Sequence, residues 1–475
     1  MNSVLLISID TLRADHLGCY GYPRQTSPNL DRLARESAVF EYAFAPCSYT
    51  VPSFTSMMTS RWPSWHTAKF FFQAPQALTP EMVPLAELMA AYGYRTAAFI
   101  STIILSRENS GLDRGFEVYN DNVTVPELNR PMFLYRRAND TINVAAKWLE
   151  EIKDEPFFLW VHLMDVHGPY NPPSPYDAKF IQDNQILTPF DRLHLPLIKT
   201  PVTRSCAPKN YIPGIPAYQV LGLETEPSSD QNEFPKYQSR FRHYLDRYDG
   251  AIAYVDLAIG RFLAFLKSKG RYDDTIVIVH SDHGEAFGEQ GVFFFHGLTV
   301  TRDQIHVPLI IKTPHLAPGR YTTPVSLCDV MPFLVDVLDL DPPDGLMGRS
   351  LIDPPDEKRF IPAQILRQLG VINNKNLYLY GKGWFEPPEH KTLFETAEGL
   401  DFFERSLPCS CFDYTKDPLG CFPLQPGPEQ SGLNNWVCDF IKKANAQLFR
   451  SEPLIKNEQE TERTTEHLRS LGYID

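Results

Sequence analysis

Short apolar runs separated by longer amphipathic segments form the main hydrophobic pattern of the chain. A continuous apolar run of five to eight residues is typical of a strand that is buried on both faces, as in a mostly parallel sheet. The predicted strands are Ser3–Ile9, Arg95–Thr102, Phe157–Leu163, Thr275–Val279 and Val307–Lys312.

Apolar residues at helical spacing lie between these runs. The predicted helices are Pro28–Ser37, a helix that begins near Thr50, Thr79–Tyr92 with Gly93 at its C-cap, Asp140–Lys153, Tyr237–Lys269 and Ser326–Leu338. Strands that alternate with helices predict an α/β fold, a large, mostly parallel central sheet flanked by helices in a doubly wound arrangement.

Two stretches depart from this alternation. From Pro172 to about Phe234 the sequence is proline-rich and polar, longer than an ordinary connection, and we interpret it as an insertion that covers the site. After about Gly348 the apolar periodicity weakens. We therefore predict a main domain over residues 1–348, with the insertion at about 172–234, and a small C-terminal α+β subdomain and tail over 349–475.

The net charge and the lengths of the apolar runs limit the kinds of partner that the chain can bind. The chain has 475 residues and a net charge of −13, and an acidic balance argues against general nucleic-acid binding. It leaves room for a local positive site made by metal ions. No apolar run approaches the roughly 20 residues of a membrane span. Met1 leads almost directly into a strand, without a signal peptide, so we expect a cytoplasmic protein.

The eight cysteines are too sparse for a disulfide scaffold. Four of them lie near the C-terminus, but their spacing contains no Cys-x-x-Cys pair, so one or two disulfides or free thiols are favoured over a zinc site. Their role stays open; the four are Cys409, Cys411, Cys421 and Cys438.

The stretch from Cys47 to Ser60 carries a candidate nucleophile. Pro52 suits the first turn of a helix, and Thr50 lies at the mouth of that helix. A helix N-terminus offers N–H donors and partial positive charge to an anionic ester. Taken alone, Thr50 is more simply interpreted as a capping residue than as a nucleophile.

Three predicted strands end in residues that can bind metal. Asp10 follows the first, Asp165 and His167 follow the middle one, and Asp282 and His283 follow the last. Each has a simple structural explanation as a turn or surface residue. In an open α/β sheet, however, ligands bind at the carboxyl ends of the strands, so these residues are expected to converge there.

Asp10, Asp282 and His283 together make a carboxylate-rich set with one imidazole. Such a set suits Mn²⁺, Ca²⁺, Mg²⁺ or Zn²⁺. A divalent ion that touches the Thr50 oxygen would stabilise its alkoxide and polarise an ester oxygen. The sequence therefore predicts a metal-dependent site for a small anionic ester.

Six segments resemble the signatures of the sulfatase family within the alkaline phosphatase superfamily. They are Ile9–Gly21 (Ile-Asp-Thr-Leu-Arg-Ala-Asp-His-Leu-Gly-Cys-Tyr-Gly), Thr26–Asp31, Ser281–Glu289, His296-Gly297, Val307–Ile310 and Leu468–Tyr473. The resemblance covers nearly the whole chain. It implies an alkaline phosphatase-like fold and a metal-dependent ester hydrolase.

The resemblance also implies roles for individual residues. Asp10, Asp282 and His283 would be metal ligands, and Thr50 would be both a ligand and the nucleophile. His167 and His296 would bind the anionic group, protonate the leaving group, or help to hold a second metal. Asp165 is a weaker candidate for that second ion. Whether one or two divalent ions bind stays open.

One departure from the family pattern bears on the chemistry. Sulfatases carry Cys (or Ser)-x-Pro-x-Arg, whose first residue is oxidised to formylglycine, whereas this chain has Thr50-Val-Pro-Ser-Phe54. Threonine cannot give that aldehyde because its Cβ carries a methyl group, and Phe54 replaces the arginine. A threonine alkoxide instead resembles the phosphodiesterases, phosphatases and phosphoglycerol or phosphoethanolamine transferases of the superfamily.

The leading interpretation is hydrolysis of a phosphate diester, monoester or phosphonate through a phospho-threonine intermediate at Thr50. Alternatives are a sulfatase that works without formylglycine, a transferase, and a protein that binds an anion without turnover. Specificity is assigned to the insertion and to the aromatic loops Phe70–Phe72 and Phe293–Phe295, with burial in the core as the alternative interpretation of these aromatic residues. The leaving group and the oligomeric state are not predicted.

Overall fold

A computed structural model describes most of the chain. The described residues are 2–66, 68, 78–127, 134–181, 183, 187, 241–289, 293–297, 299–365, 368–380, 410–417, 424 and 430–448. Most of the predicted insertion, the Phe70–Phe72 loop and the C-terminal Leu468–Tyr473 motif lie outside these ranges.

Strands and helices alternate as the apolar pattern predicts. The strands are β1 (Ser3–Ile9), β2 (Ala38–Phe40), β3 (Ala43–Phe44), β4 (Arg95–Phe99), β5 (Val118–Asn120), β6 (Val125–Pro126), β7 (Leu134–Tyr135), β8 (Phe157–Leu163), β9 (Thr275–His280), β10 (Ala286–Phe287), β11 (Phe293–Phe295), β12 (His306–Val307), β13 (Leu309–Lys312), β14 (Gly319–Tyr321), β15 (Val325–Ser326), β16 (Ile361–Ile365), β17 (Gln368–Ile372), β18 (Asn376–Tyr380) and β19 (Ser410–Asp413). The α-helices are α1 (Pro28–Arg35), α2 (Thr50–Thr59), α3 (Leu85–Ala91), α4 (Arg107–Ser110), α5 (Ala138–Glu151), α6 (Phe241–Ser268), α7 (Arg302–Ile305), α8 (Val330–Val337) and α9 (Gln430–Leu448).

The main sheet has eight strands in the order β14-β2-β13-β9-β1-β8-β4-β5. Its pairs are parallel except those of β13, which runs antiparallel to β9 and β2. The mostly parallel α/β sheet is therefore confirmed. Its centre matters for function, because β9, β1 and β8 are adjacent and parallel, so their carboxyl ends meet at one edge.

The side chains of β1 alternate between two hydrophobic clusters, one on each face of the sheet. Val4 and Leu6 join the cluster that contains α2, α3 and α8, whereas Leu5 and Ile7 join the cluster that contains α1, α5 and α6. All four are fully buried. This two-sided burial explains why the strand reads as a continuous apolar run in the sequence.

The small C-terminal subdomain is a four-stranded antiparallel sheet, β16-β17-β18-β19, with the helix α9. Its apolar residues join the hydrophobic cluster on the α2 face of the main sheet. On α9, Phe440 lies 5.0 Å from the ring of Trp65 and 5.1 Å from that of Trp436. The predicted α+β subdomain is thus present, whereas the boundary at residue 348 stays a prediction.

Prolines shorten or divide two of the predicted elements. The helix predicted over Thr79–Tyr92 is wrong in extent, because α3 begins only after Pro84, which is its N-cap. The strand predicted over Val307–Lys312 is interrupted at Pro308, which has no N–H for a ladder. The part before Pro308, β12, pairs with β3 in a separate small sheet, and β13 after it enters the main sheet.

The cysteines of the described part are free thiols, at Cys19, Cys47, Cys328, Cys411 and Cys438. The disulfide or zinc arrangement considered for the C-terminal cysteines therefore does not involve Cys411 or Cys438 within these ranges. Cys409 and Cys421 lie outside them. No α-helix in the described ranges combines the length and the apolar character needed to cross a membrane.

Candidate active site

The strand ends bring Asp10, Asp282 and His283 together as predicted. Each offers one ligand atom, and these atoms all lie within 4.8 Å of one another. All three side chains are fully buried. The set combines two carboxylates and one imidazole, which is a donor set for a hard or borderline divalent cation.

The two carboxylates fit a bound cation because the protein leaves their oxygens without donors. In the described part, neither oxygen of Asp10 and only one oxygen of Asp282 has a hydrogen-bond partner. Burial raises the pKa of Asp10 to about 7 and that of Asp282 to about 6. Two like charges so close in a buried site are costly without a positive partner, so the residues present fit a divalent ion.

His283 is oriented to present its Nε2 atom to the cluster. Its Nδ1 lies 3.0 Å from the carbonyl oxygen of Gly284, which only accepts, so the Nδ1 carries the proton. Nε2 lies 3.3 Å from Asp282 Oδ2 and 3.3 Å from Thr50 Oγ1. A ligating histidine normally donates its other ring N–H to a carbonyl or carboxylate in this way.

Thr11, two residues after the end of β1, has an unusual backbone conformation beside the cluster. This β-branched residue has a φ of 56°, in the left-handed region that disfavours such side chains. Its N–H donates to Asp282 Oδ1 at 3.3 Å, and its hydroxyl donates to the Asp10 carbonyl at 2.8 Å. Tyr248 donates to the Thr11 carbonyl at 2.8 Å, which holds the turn. The turn therefore ties the two carboxylate-bearing loops together.

Thr50 is the first residue of α2 and is 3% exposed. The N-cap is Tyr49, so the interpretation of Thr50 as a capping residue is not what the structure shows. Ser53, one turn on, donates to the Asp282 carbonyl at 2.7 Å and fixes the helix against the end of β9. The Thr50 hydroxyl therefore lies at a helix N-terminus and against the carboxylate-rich cluster.

Phe54 lies where the formylglycine motif has arginine, and it is fully buried. Its ring centroid lies 5.1 Å from that of Trp160, 5.4 Å from that of His162 and 6.0 Å from that of His280. Packed aromatic and imidazole rings are thus found where the family motif would have the arginine guanidinium. Burial lowers the pKa of both histidines to about 4, so they are neutral at physiological pH.

His296 lies next to the imidazole of His283. Its ring centroid is 4.4 Å from that of His283, and its Nδ1 is 3.1 Å from Glu285 Oε1. Tyr170 donates to the other oxygen of Glu285 at 2.8 Å. Burial raises the pKa of Glu285 to about 8, and in its ionised form Glu285 accepts both bonds and orients the His296 imidazole.

His167 continues this row of imidazoles. Its ring centroid is 5.0 Å from that of His296, and its Nδ1 lies 2.7 Å from the Gly168 carbonyl, to which it donates. Both candidate acid–base residues are buried, at 6% and 2% exposure respectively. The structure therefore brings together Asp10, Thr50, His167, Asp282, His283 and His296, as the sequence predicts.

Asp165 is the predicted site residue that the structure engages elsewhere. Its Oδ2 accepts from the backbone N–H of Ala138 at 2.8 Å, the first residue of α5, and its Oδ1 lies 3.5 Å from the Arg137 guanidinium. The carboxylate thus caps a helix. It is not part of the three-residue cluster found in the described part of the chain. A second metal site that uses Asp165 stays a prediction.

Of the two aromatic loops, the structure describes the side chains of Phe294 and Phe295. Phe294 is fully buried in the core, with its ring centroid 4.6 Å from that of Tyr244. Substrate contact by Phe294 is therefore not supported. Phe295 lies beside His296, and the side chain of Phe293 is outside the described residues, as is the Phe70–Phe72 loop.

Three site residues had no predicted role: Glu285, Tyr170 and His162. Glu285 stands inside a motif that carries the family resemblance, so its position in the sequence was a usable signal. His162 interrupts the otherwise apolar run of β8, which also marks it. Tyr170 gives no such signal, because its contact with Glu285 depends on the packing of two loops distant in sequence.

Comparisons with known proteins agree with this architecture. The family profile described as Sulfatase matches residues 2–340. The Ulvan-active sulfatase of Formosa agariphila is 25% identical, over 94% of this chain and 81% of its own. The multifunctional alkaline phosphatase superfamily protein PehA of Trinickia caryophylli is 24% identical, over 74% of this chain and 76% of its own.

Solved structures share the fold. The phosphonate monoester hydrolase of Agrobacterium radiobacter superposes with a TM-score of 0.64 at 19% identity, covering 94% of this chain and 96% of its own. The eight-stranded sheet, the small C-terminal sheet and the carboxylate–imidazole cluster accompany the profile match. The chain therefore belongs to the sulfatase family of the alkaline phosphatase superfamily and is a hydrolase of ester bonds.

Proposed function

We propose that this protein hydrolyses a phosphate ester, as a diester, a monoester or a phosphonate monoester, with Thr50 Oγ1 as the nucleophile. The observation that carries the proposal is the position of this hydroxyl, 3.3 Å from His283 Nε2 at the N-terminus of α2. Threonine and Phe54 together exclude the formylglycine route, which needs an oxidisable Cys or Ser in its motif. The hydroxyl itself is then the candidate that remains.

The chain's own residues account for binding and orientation. Asp10, Asp282 and His283 would hold a divalent cation, with Thr50 as a further candidate ligand. Such a cation lowers the pKa of an adjacent hydroxyl and offsets the charge that develops on the ester oxygens. The N–H groups at the start of α2 add donors for the same oxygens.

In the first step, Thr50 Oγ1 loses its proton to water and bonds to phosphorus, while the bond from phosphorus to the leaving oxygen breaks. The leaving oxygen takes a proton from His296 or His167. In the second step a water oxygen attacks phosphorus, the bond to Oγ1 breaks, and Oγ1 takes back from solvent water the proton that it lost in the first step. The neutral histidine accepts the proton of that water.

The names of some relatives support hydrolysis of phosphorus esters, and the names of others support hydrolysis of sulfate esters. One structural neighbour is named a phosphonate monoester hydrolase, and one relative is named a multifunctional alkaline phosphatase superfamily protein. Other relatives are named sulfatases, including iduronate 2-sulfatase of Homo sapiens. A sulfate ester hydrolase that uses Thr50 without formylglycine is therefore the second candidate.

A substrate panel tests the proposal. Wild type, Thr50→Ala and Thr55→Ala would be assayed with Mn²⁺ on an aryl phosphate, an aryl phosphodiester, an aryl phosphonate monoester and an aryl sulfate. Thr55 is a matched control because it is a buried threonine of the same helix, and its hydroxyl donates to the Val51 carbonyl at 2.8 Å. We expect the phosphorus esters to turn over fastest, Thr50→Ala to lose activity and Thr55→Ala to keep it.

Other outcomes separate the alternatives. Preference for the sulfate ester with dependence on Thr50 would support the second candidate. Faster turnover in the presence of an added alcohol would indicate transfer. Full activity of Thr50→Ala would refute a threonine nucleophile, and binding of vanadate or phosphate without turnover of any ester would indicate an anion-binding protein.

A further inference from the structure

A buried histidine on β8 lies close to the carboxylate of Asp10 in the candidate metal site. His162 is fully buried, and its Nε2 lies 3.3 Å from Asp10 Oδ2. Neither this nitrogen nor either oxygen of Asp10 has a hydrogen-bond partner of good geometry in the described part of the chain. A buried polar atom without a partner is costly, so this close approach needs an explanation.

The contact at the other ring nitrogen of His162 is compatible with a proton on the nitrogen that faces Asp10. Its Nδ1 lies 3.0 Å from the hydroxyl oxygen of Ser101. When the hydroxyl donates to Nδ1, the proton of the neutral imidazole is on Nε2 and points at the carboxylate. The opposite tautomer would set two lone pairs against each other across 3.3 Å.

The neighbouring buried histidine shows what a purely structural role looks like. His280 is the last residue of β9 and is also fully buried. Its Nε2 is 2.7 Å from Ser8 Oγ, which in turn accepts from Trp160, and its Nδ1 is 3.0 Å from the Ser281 carbonyl. Both nitrogens of His280 are thus satisfied by groups that bind no metal.

We propose that His162 is a positioning residue for Asp10, donating from Nε2 so that the carboxylate presents its remaining lone pairs to a divalent cation. A direct ligand role fits less well, because the group of ligand atoms within 4.8 Å of one another contains Asp10, Asp282 and His283 but not His162. Ligating carboxylates are commonly held by such donors, and loss of the donor typically weakens metal binding about 10- to 100-fold.

This inference deepens the proposed function, since it concerns the same cation site, but its test does not depend on turnover. Mn²⁺ affinity would be measured by titration calorimetry for wild type, His162→Asn, His162→Gln and His280→Asn. The glutamine amide can replace the Nε2 donor, whereas the asparagine amide stands near the Nδ1 position and does not reach Asp10. The His280→Asn control removes the Nε2 atom of a buried histidine whose two ring nitrogens both have hydrogen-bond partners outside the cluster.

We expect His162→Asn to bind Mn²⁺ about 10- to 100-fold more weakly, and His162→Gln to recover most of the affinity. His280→Asn should lower the melting temperature of the metal-free protein while leaving the affinity unchanged. In Co²⁺-loaded protein, the visible absorption bands of His162→Gln should match those of wild type, because the ligand set is the same.

Three results would overturn the inference. They are unchanged Mn²⁺ affinity in His162→Asn, an equal loss of affinity in His280→Asn, and shifted Co²⁺ bands in His162→Gln, which would make His162 a direct ligand. If Thr50→Ala stays active while His162→Asn loses affinity, the proposed function fails and the positioning role stands.

Discussion

The imidazoles of the site are held by neighbours that limit their freedom. His283 donates to the Gly284 carbonyl, and His296 bonds to Glu285, which also accepts from Tyr170. These contacts fix which nitrogen of each imidazole faces the cluster. The proposed chemistry should therefore depend also on residues that orient these imidazoles.

Glu285→Gln tests this dependence at the level of one carboxylate. Burial raises the pKa of Glu285 to about 8, so the substitution removes a negative charge above that pH. There a protonated His296 loses its charged partner, and the leaving group should be protonated less effectively. We expect kcat to fall about 10- to 100-fold with little change in KM. Steady-state kinetics on an aryl phosphodiester would measure both.

Tyr170→Phe is the control for that substitution. It removes one hydrogen bond to Glu285 but keeps the carboxylate. A smaller loss of kcat is expected. Equal losses in the two variants would mean that the fold of the loop, and not the charge, matters.

At the level of elements, a glycine lets the loop that follows β11 approach the start of α2. Gly297 has a φ of +81°, and a Cβ there would fall on the ring of Tyr49. Tyr49 is the N-cap residue directly before Thr50. The loop that carries His296 and the helix that carries Thr50 are therefore in direct contact at this glycine.

Gly297→Ala should disturb that contact from both sides. The alanine is strained at positive φ and pushes Tyr49 away, so Thr50 and His296 move apart. We expect an activity loss of at least about tenfold, since small misplacements of reacting groups are costly. Gly270→Ala is a control, because Gly270 has a φ of +68° but open space at its Cβ. Retained activity in Gly297→Ala would contradict the contact's importance.

The strand ends could be predicted from the sequence, and several side-chain roles could not. Short, mainly apolar runs marked β1, β8 and β9, and the residues after β1 and β9 do converge. The capping role of Asp165 depends on where α5 packs, which leaves no local signal. Likewise, the contact of His162 with Asp10 exists only because β8 and β1 pair in a particular register.

For the molecule as a whole, a cation bound at the buried cluster would add to the stability of the fold. Asp10 and Asp282 are both fully buried, and without a cation their like charges repel. Chelation should therefore lower the melting temperature. With free cation at about 1,000 times its Kd, binding contributes about 4 kcal/mol to the free energy of unfolding.

Differential scanning calorimetry with Mn²⁺ and with a chelator would measure this contribution. Asp282→Asn removes one carboxylate of the cluster and should show a much smaller cation-induced shift. Identical melting temperatures of the wild type with and without Mn²⁺ would argue against a cation at this cluster.

The acid stability of the molecule should reflect His306, a buried histidine that is not a member of the cluster. His306 is 6% exposed and its Nε2 donates to the Glu41 carbonyl. Burial lowers the pKa of His306 to about 3 from the ordinary 6.5. Between these two values the unfolded chain binds the proton and the folded chain does not, so stability falls as pH falls.

His306→Gln should reduce this acid sensitivity, because glutamine keeps a neutral donor. At about pH 5 the histidine costs about 2 kcal/mol relative to neutral pH, since each pKa unit is worth about 1.4 kcal/mol. Urea unfolding of both proteins at about pH 7 and about pH 5 would measure the difference. Equal pH dependence in the two proteins would rule out this contribution of His306.

The central claim is that Thr50 carries the phosphoryl group, and the most direct measurement looks for that bond. The enzyme would be mixed with Mn²⁺ and an aryl phosphodiester, quenched in acid within one turnover, digested and analysed by mass spectrometry. The account predicts phosphate, or the phosphoryl ester, on the Thr50 hydroxyl and none in Thr50→Ala. Turnover of the ester by the wild type with the modification on another residue would contradict it. So would turnover without any modified residue in samples taken across the whole single-turnover reaction.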